Sequence, residues 1–167
     1  MTLNELCKEF YYSTDKGITH RYLDTYGKLF APFKDMEINL LEVGVATGGS
    51  LKLWEDYFSK AAIYGIDIIN EIEYQYSERV HLIFEDIRVM KIRLQLDIAI
   101  DDGSHFVKDQ LTFFNLIWPV MNKGGLLIIE DIDNIDQDKH FFDELNIPYE
   151  IIDLRGTYDS VLLIFRK

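Results

Sequence analysis

Two short blocks concentrate side chains able to do chemistry. Ile100-Asp101-Asp102-Gly103-Ser104-His105 places two carboxylates just ahead of an imidazole, and Ile129-Glu130-Asp131 adds two more. Each block ends an apolar run of strand length. Neighbouring strands lie about 4.8 Å apart, so two such ends can bring their carboxylates onto one ion. An all-oxygen set suits Mg2+ or another hard divalent cation better than zinc. Gly103 supplies a turn, and Ser104 is expected to N-cap the next helix. That puts His105 in the first helical turn, facing the cleft, where an imidazole beside a candidate metal ligand can serve as general base. A third block, Glu42-Val43-Gly44-Val45-Ala46-Thr47-Gly48-Gly49-Ser50, is a glycine-rich turn whose backbone can approach a bound molecule closely.

The elements that must position these residues follow from periodicity. A helical region is expected over 3–33, broken near Thr14-Asp15-Lys16-Gly17 and stopped around Pro32. Strands are expected at 38–43, 62–67, 80–84, 96–100 and 126–129. Helices carry Leu51, Trp54 and Phe58 on one stripe and Val107, Leu111, Phe114 and Ile117 on another. The second should stop at Asn122-Lys123-Gly124-Gly125. The polar stretch 70–79 has weak helical character, and a short helix is expected over 136–145. The segments 149–154 and 160–166 flank the turn Arg155-Gly156-Thr157-Tyr158-Asp159 as an antiparallel hairpin closing one edge. The alternation implies an α/β fold, a mostly parallel sheet with helices on both faces. One domain over 1–167 is expected, with a helical segment at 1–36 and the sheet-bearing core at 37–167.

In such sheets ligands bind beyond the carboxyl ends of the strands. Here all five ends are acidic: Glu42, Asp67, Glu85-Asp86, Asp101-Asp102 and Glu130-Asp131. A turn or cap accounts for any one of them; together they mark one edge. The chain has 167 residues, 48% of them hydrophobic, enough for a real core and against global disorder. Its net charge of -12, with no basic stripe, argues against a nucleic-acid partner. One cysteine, no signal-peptide pattern and no apolar run near the roughly 20 residues of a membrane span lead to the expectation of a cytoplasmic protein without a membrane partner.

The glycine-rich turn admits two readings. Gly44, Ala46 and Gly49 loosely satisfy a relaxed dinucleotide fingerprint. Glu42, Gly44 and Gly48 match the acidic-x-Gly-x-x-x-Gly turn of S-adenosylmethionine-dependent methyltransferases. Glu42 favours the second, because a carboxylate can hold a cationic amino group, directly or through water, and would repel a pyrophosphate. Asp67 is then placed for the ribose hydroxyls and Asp86 for the adenine amino group. Thr47, Ser50, Ile87 and Asp101 complete the expected cofactor contacts.

From Leu40 through Asp131, these motifs together with Gly65-Ile66-Asp67-Ile68 and Gly124-Gly125-Leu126 resemble class I methyltransferases with their Rossmann-like sheet. Within that class the chain is most similar to the metal-dependent macrolide sugar O-methyltransferases and their cephalosporin-hydroxylase-like relatives. Thr14-Asp15-Lys16-Gly17, His20, Tyr22 and Tyr26 resemble the segment that precedes the first strand in such proteins. The resemblance implies S-adenosylmethionine as methyl donor, Mg2+ held by Asp102, Glu130 and Asp131, and His105 as general base. The implied acceptor is a hydroxyl of a sugar, glycan or glycosylated small molecule in natural-product or polysaccharide biosynthesis, and a homo-oligomer is compatible with it. Two departures are visible: Ala46 replaces a middle glycine, and the chain is close to a minimal domain, whereas the macrolide enzymes carry additional segments that shape the acceptor pocket.

Two rival readings stand beside this one. A nicotinamide-dependent oxidoreductase is suggested by Tyr12-Ser13-Thr14-Asp15-Lys16, which mimics a reductase Tyr-x-x-x-Lys pair but precedes the first strand and reads as chance. A non-catalytic nucleoside-cofactor-binding domain is the other. Tyr11, Tyr12, Tyr22 and Tyr26 are expected to pack the N-terminal helices onto the sheet, and Arg155 and Tyr158 to stand where an acceptor could meet them.

Overall fold

Strands buried on both faces must be apolar at nearly every position, and the middle of this chain's sheet obeys that rule. The computed structural model describes residues 1–17, 19–156 and 160–167. Its strands are β1 (Asn39–Val43), β2 (Ala62–Asp67), β3 (Val80–Phe84), β4 (Leu96–Asp101), β5 (Met121–Ile129), β6 (Tyr149–Asp153) and β7 (Val161–Arg166). They form one sheet in the order β3-β2-β1-β4-β5-β7-β6. The first five in that order are parallel, and β7 runs antiparallel to both β5 and β6.

Alternate residues feed two layers. Leu40, Ile98, Ile128 and Ile164 join the apolar layer under α1 (Leu3–Phe10), α2 (Leu23–Phe30) and α3 (Gly49–Tyr57), with Phe30, Trp54 and Phe58 at its centre. Leu41, Ala99, Leu127 and Phe165 face α4 (Val107–Ile117) and α5 (Ile135–Asp143), where Phe113, Phe114 and Phe142 fill the space. The chain leaves β1 toward β2 on one side and crosses later to β4 on the other, so a crevice opens at the carboxyl end of β1. No described helix is long and apolar enough to cross a membrane.

Several local expectations need correction. The N-terminal region folds as two short helices, with residues 11–17 and 19–22 between them irregular and draped toward the crevice. Helix α4 ends at Ile117, not at Gly124-Gly125, because Pro119 lies in the 3-10 turn Trp118–Val120. β5 therefore starts at Met121, and its early residues pair with the chain end, Gly124 N–H donating to Lys167 O at 2.9 Å. Within the C-terminal hairpin, β7 is the inner strand and β6 the edge. The reason is visible in the residues: Val161–Phe165 are all buried, whereas no residue of β6 is. Tyr158, with Thr157 and Asp159, lies outside the described residues.

The stretch 70–79 is not helical. It lies against α3, where the Arg79 guanidinium donates to the carbonyls of Glu55, Phe58 and Ala61. Ser77 N–H donates to Glu55 Oε1 at 2.7 Å, and the Tyr76 hydroxyl donates to Gly48 O at 2.8 Å. The stretch thereby buttresses the glycine-rich turn from behind.

Two predictions follow from this packing. Burial disfavours the Glu55 carboxylate, but hydrogen bonds from Lys52 and Ser77 outweigh it and hold the group below its ordinary range. The unfolded chain then binds the extra proton first, so this contribution is present above the usual glutamate pKa of about 4.3 and lost as pH falls through the lower folded value. Urea unfolding between neutral and acidic pH should show Glu55→Gln flattening the acid limb; an unchanged limb rules the linkage out. Gly44 has φ +82, and a Cβ there would stand 1.9 Å from the carbonyl oxygen of Asp102. Gly44→Ala should cost about 1–3 kcal/mol in the same assay, through strain in the turn and its contact with the end of β4; an unaltered midpoint would contradict this.

Candidate functional site

A cavity of about 890 Å³ occupies the crevice. One wall is the β1–α3 turn, a second is formed by Ile68, Ile69 and Ile87, and the floor runs from Asp101 to His105. Ser13, Thr14, Asp15 and Thr19 cover it from the N-terminal segment. The turn is held in shape by Asp67, whose Oδ2 accepts from the backbone N–H groups of Val45 and Ala46 at 2.9 and 3.0 Å. Its Oδ1 accepts from Ile69 N–H at 3.1 Å. Ala46 adopts φ 44, so the residue standing where a glycine is common takes the left-handed conformation regardless. Thr47, Ser50 and Ile87 line the cavity; Gly48, at φ +89, is backed by Tyr76.

Asp86 lines the same cavity, gripped by Arg88 through Nε at 3.0 and 3.1 Å and Nη2 at 2.7 Å. Arg88 also reaches Asp109 at 3.2 Å, so a clamp joins the end of β3 to α4 across the opening. Asp101 is buried, its Oδ1 accepting from Gly103 N–H at 3.3 Å, and burial pushes its carboxyl up to about 7.

Glu42 does not reach the cavity wall. It is fully buried behind the turn, accepting from Trp54 Nε1 at 2.7 Å, and burial raises its carboxyl. The cation it meets belongs to the chain: Lys16 Nζ stands 3.3 Å from Glu42 Oε1. The same ammonium lies 2.5 Å from Asp102 Oδ2 and 2.9 Å from both Glu130 oxygens. The Lys16 side chain is only 1% exposed. Its neighbours hold it charged against the cost of burial, which by itself would lower its pKa. The Tyr26 hydroxyl donates to Glu130 Oε1, and the Tyr22 hydroxyl to Asp131 Oδ1. Burial raises the carboxyls of both acids, and the neighbouring carboxylate of Asp102 adds to it.

His105 is not in a helical turn. Helix α4 begins two residues later, Phe106 stands at its N-cap without a side-chain cap, and Ser104 Oγ donates instead to Asp109 Oδ2 at 2.7 Å. His105 has φ 61, a left-handed conformation that turns its ring back over the strand ends. Its Nε2 is 3.8 Å from Asp102 Oδ1 and its Nδ1 3.5 Å from Asp131 Oδ2.

The acidic cluster thus divides into two sets, each with ligand atoms within 4.8 Å of one another: Asp102, His105 and Asp131, and Glu42, Asp102 and Glu130. Only the first is free of Lys16 as a shared partner of every carboxylate pair, and its two carboxylates and imidazole suit a divalent cation. Glu130, expected beside Asp131 on the ion, is engaged by Lys16 and Tyr26, whereas Asp131, at φ 52, turns to Tyr22, His20 and His105.

Lys16, Tyr22 and Tyr26 are the residues that sequence reasoning undervalued. Tyr22 and Tyr26 pack as expected, fully buried, but their hydroxyls also orient the acids. Tyr11, grouped with them, is 85% exposed. A lysine between Asp15 and Gly17 carries no local sign of burial; its pairing partners are 26, 86 and 114 residues away.

No protein-family model matches the chain. Curated relatives include the 8-demethyl-8-alpha-L-rhamnosyl tetracenomycin-C 2'-O-methyltransferase of Streptomyces olivaceus, 35% identical over 72% of this chain and 35% of its own length. The demethylmacrocin O-methyltransferase of Streptomyces fradiae is 32% identical over 78% of this chain and 36% of its own. The chain therefore spans about a third of the length of the curated relatives it matches. Among solved structures, the MycE methyltransferase of the mycinamycin pathway, in complex with Mg, SAH and mycinamycin VI, superposes with a TM-score of 0.78 at 25% identity. The match covers 99% of this chain and 54% of that one. A methyltransferase structure from Methanococcus maripaludis shares the fold at a TM-score of 0.65 and 19% identity, covering 89% and 91% of the two chains. Sheet order, crevice and sequence relatives together make this chain a class I S-adenosylmethionine-dependent methyltransferase fold of the type found in the antibiotic-sugar O-methyltransferases.

Proposed function

We propose that this chain binds S-adenosylmethionine in the 890 Å³ crevice and transfers its methyl group to a hydroxyl of a sugar or glycosylated small molecule. The observation that carries the reading is the convergence of Asp102, His105 and Asp131 at the floor of a cleft whose wall is the glycine-rich turn. The relatives named above act on glycosylated antibiotics, and their acceptor class is the one proposed for this chain.

In this reading Asp67 meets the ribose hydroxyls with lone pairs left over from pinning the turn, and Asp86 and Ile87 flank the adenine. Thr47, Gly48 and Ser50 face the methionine part, and Asp101 closes the floor beneath it. Glu42 acts from behind, fixing Trp54 on α3 and sharing Lys16 with Asp102. The acidic edge favours a cofactor with a sulfonium and an ammonium group.

Asp102 and Asp131 would hold a divalent cation, with His105 beside them. When bound, such an ion supplies Lewis-acid acidification of an acceptor hydroxyl. His105 takes the hydroxyl proton as the acceptor oxygen bonds to the methyl carbon and the carbon–sulfur bond breaks, leaving S-adenosylhomocysteine. Tyr22, donating to Asp131, and the bent backbone at His105 keep base and acid at fixed separation. Holding nucleophile and methyl in line can account for about 7–11 kcal/mol of acceleration in favourable models.

The test is S-adenosylhomocysteine formation from a panel of glycosides with and without Mg2+. Asp102→Asn should abolish metal-dependent turnover while leaving S-adenosylmethionine affinity largely intact, and full activity in excess chelator would remove the metal from the reading. His105→Ala should lower turnover about 10²–10⁴-fold with cofactor affinity retained. Fluorescence titration with S-adenosylhomocysteine against NADH checks the cofactor itself; binding of NADH alone would replace this reading with an oxidoreductase one.

A further inference from the structure

Resting on the methyl-transfer reading above, we propose that Asp109 is a positioning residue for the base: with Arg88 and Ser104 it forms a bridge that sets where His105 stands over the crevice. The connection from β4 to α4 runs from Asp102 to Phe106 and carries His105 in its left-handed conformation. Both ends of the connection are anchored by backbone. Asp102 N–H donates to Val43 O at 2.9 Å, and Phe106 O accepts from Asp109 and Gln110 N–H at 2.8 and 3.0 Å. Between these anchors stands an exposed serine, whose hydroxyl donates to Asp109 Oδ2 at 2.7 Å. The His105 ring itself approaches Asp131 and Asp102 only at 3.5 and 3.8 Å. The step at His105 is therefore held more by its neighbour's hydrogen bond than by the ring's own contacts.

Asp109 can serve as the fixed end of that bond. It lies in the first turn of α4, whose Phe113, Phe114 and Ile117 are buried and whose Gln110 Nε2 donates to Glu130 O at 3.2 Å. Its second oxygen is also engaged: Oδ1 accepts from Arg88 Nη1 at 3.2 Å, while Nε and Nη2 of the same guanidinium grip Asp86. One planar fork thus spans two acids, which an ammonium on a flexible stem cannot reproduce. Asp86, Arg88, Ser104 and Asp109 line the crevice together with His105. The bridge accordingly runs along the cavity, from the acid assigned above to the adenine end of the cofactor to the base at the other end. Contacts at a rim open to water add little to stability. Cutting them should show in the chemical step, through a displaced base, and not in unfolding.

Turnover at saturating S-adenosylmethionine, S-adenosylhomocysteine affinity and thermal midpoint, all measured on the full chain, test this. Asp109→Ala and Ser104→Ala should each lower kcat about tenfold or more and keep the affinity within about threefold, because a displaced catalytic group is felt in the transition state and not in ground-state binding. Their midpoints should match that of the unsubstituted chain. The double variant should lose no more than the larger single loss, since both substitutions cut one link. Asp109→Asn, which keeps an oxygen for Ser104, and Ser104→Thr, which keeps the hydroxyl, should retain most of the turnover. Arg88→Lys should lower kcat by itself and add nothing on top of Asp109→Ala. An unchanged kcat in Asp109→Ala, or losses that multiply in the double variant, would overturn the proposal. If Asp109→Ala does not fold, Ser104→Ala against Ser104→Thr decides: a loss confined to alanine supports the bridge, and equal turnover refutes it. Should the unsubstituted chain methylate no glycoside, the methyl-transfer reading falls, and the bridge is judged by 15N relaxation of the Ser104 and His105 amides. Order parameters falling from about 0.85 to below about 0.6 in Ser104→Ala support it, and unchanged values refute it.

Discussion

The interaction on which the rest of this structure depends is a buried ammonium among carboxylates. Lys16 is drawn into the interior by Glu42, Asp102 and Glu130, which end three neighbouring strands of one sheet. Without a cation these groups would repel one another in a space from which water is excluded. With it, the ends of β1, β4 and β5 are held together and the N-terminal segment is fastened over them. Removing one partner of such a buried cluster costs far more than the cluster contributes to net stability, so its value lies in specifying one arrangement.

Around this anchor the site is assembled from backbone irregularities. His105 and Asp131 both take left-handed φ values, 61 and 52. Asp131 lies two residues past β5 and His105 in the short connection between β4 and α4, where the chain turns back toward the sheet edge. Non-glycine residues in that region are uncommon, and they persist where the surroundings hold them. Tyr22 on Asp131 and Tyr26 on Glu130 do the holding, from a helix on the opposite face to α4. The apolar layer thus reaches the chemistry through two hydroxyl groups.

Much of this was legible in the chain. Short apolar runs separated by helical stripes marked the strands and a mostly parallel sheet, and the acids at their ends marked the ligand edge. What periodicity did not convey was orientation. Asp86 and Asp67 were placed correctly at strand ends, but their engagement with Arg88 and with the turn's backbone depends on loop geometry that no spacing encodes. Glu42 read as a contact for a bound molecule because it precedes the turn. Its side chain falls on the buried face of β1, where Trp54 awaits it. The end of α4 was misplaced because Gly124-Gly125 is a stronger stop signal than Pro119, although the proline comes first and removes the needed donor.

The sequence by itself determined the alternation of strands and helices, the glycine-rich turn and the accumulation of acids at one edge, because these rest on local patterns of polarity and conformational freedom. Only the tertiary structure decided which acids face the cavity and which face a lysine. That division depends on contacts between residues up to 114 positions apart, Lys16 with Glu130. A pair of adjacent carboxylates looks alike in one dimension. In three, Glu130 and Asp131 are each claimed by a different set of neighbours.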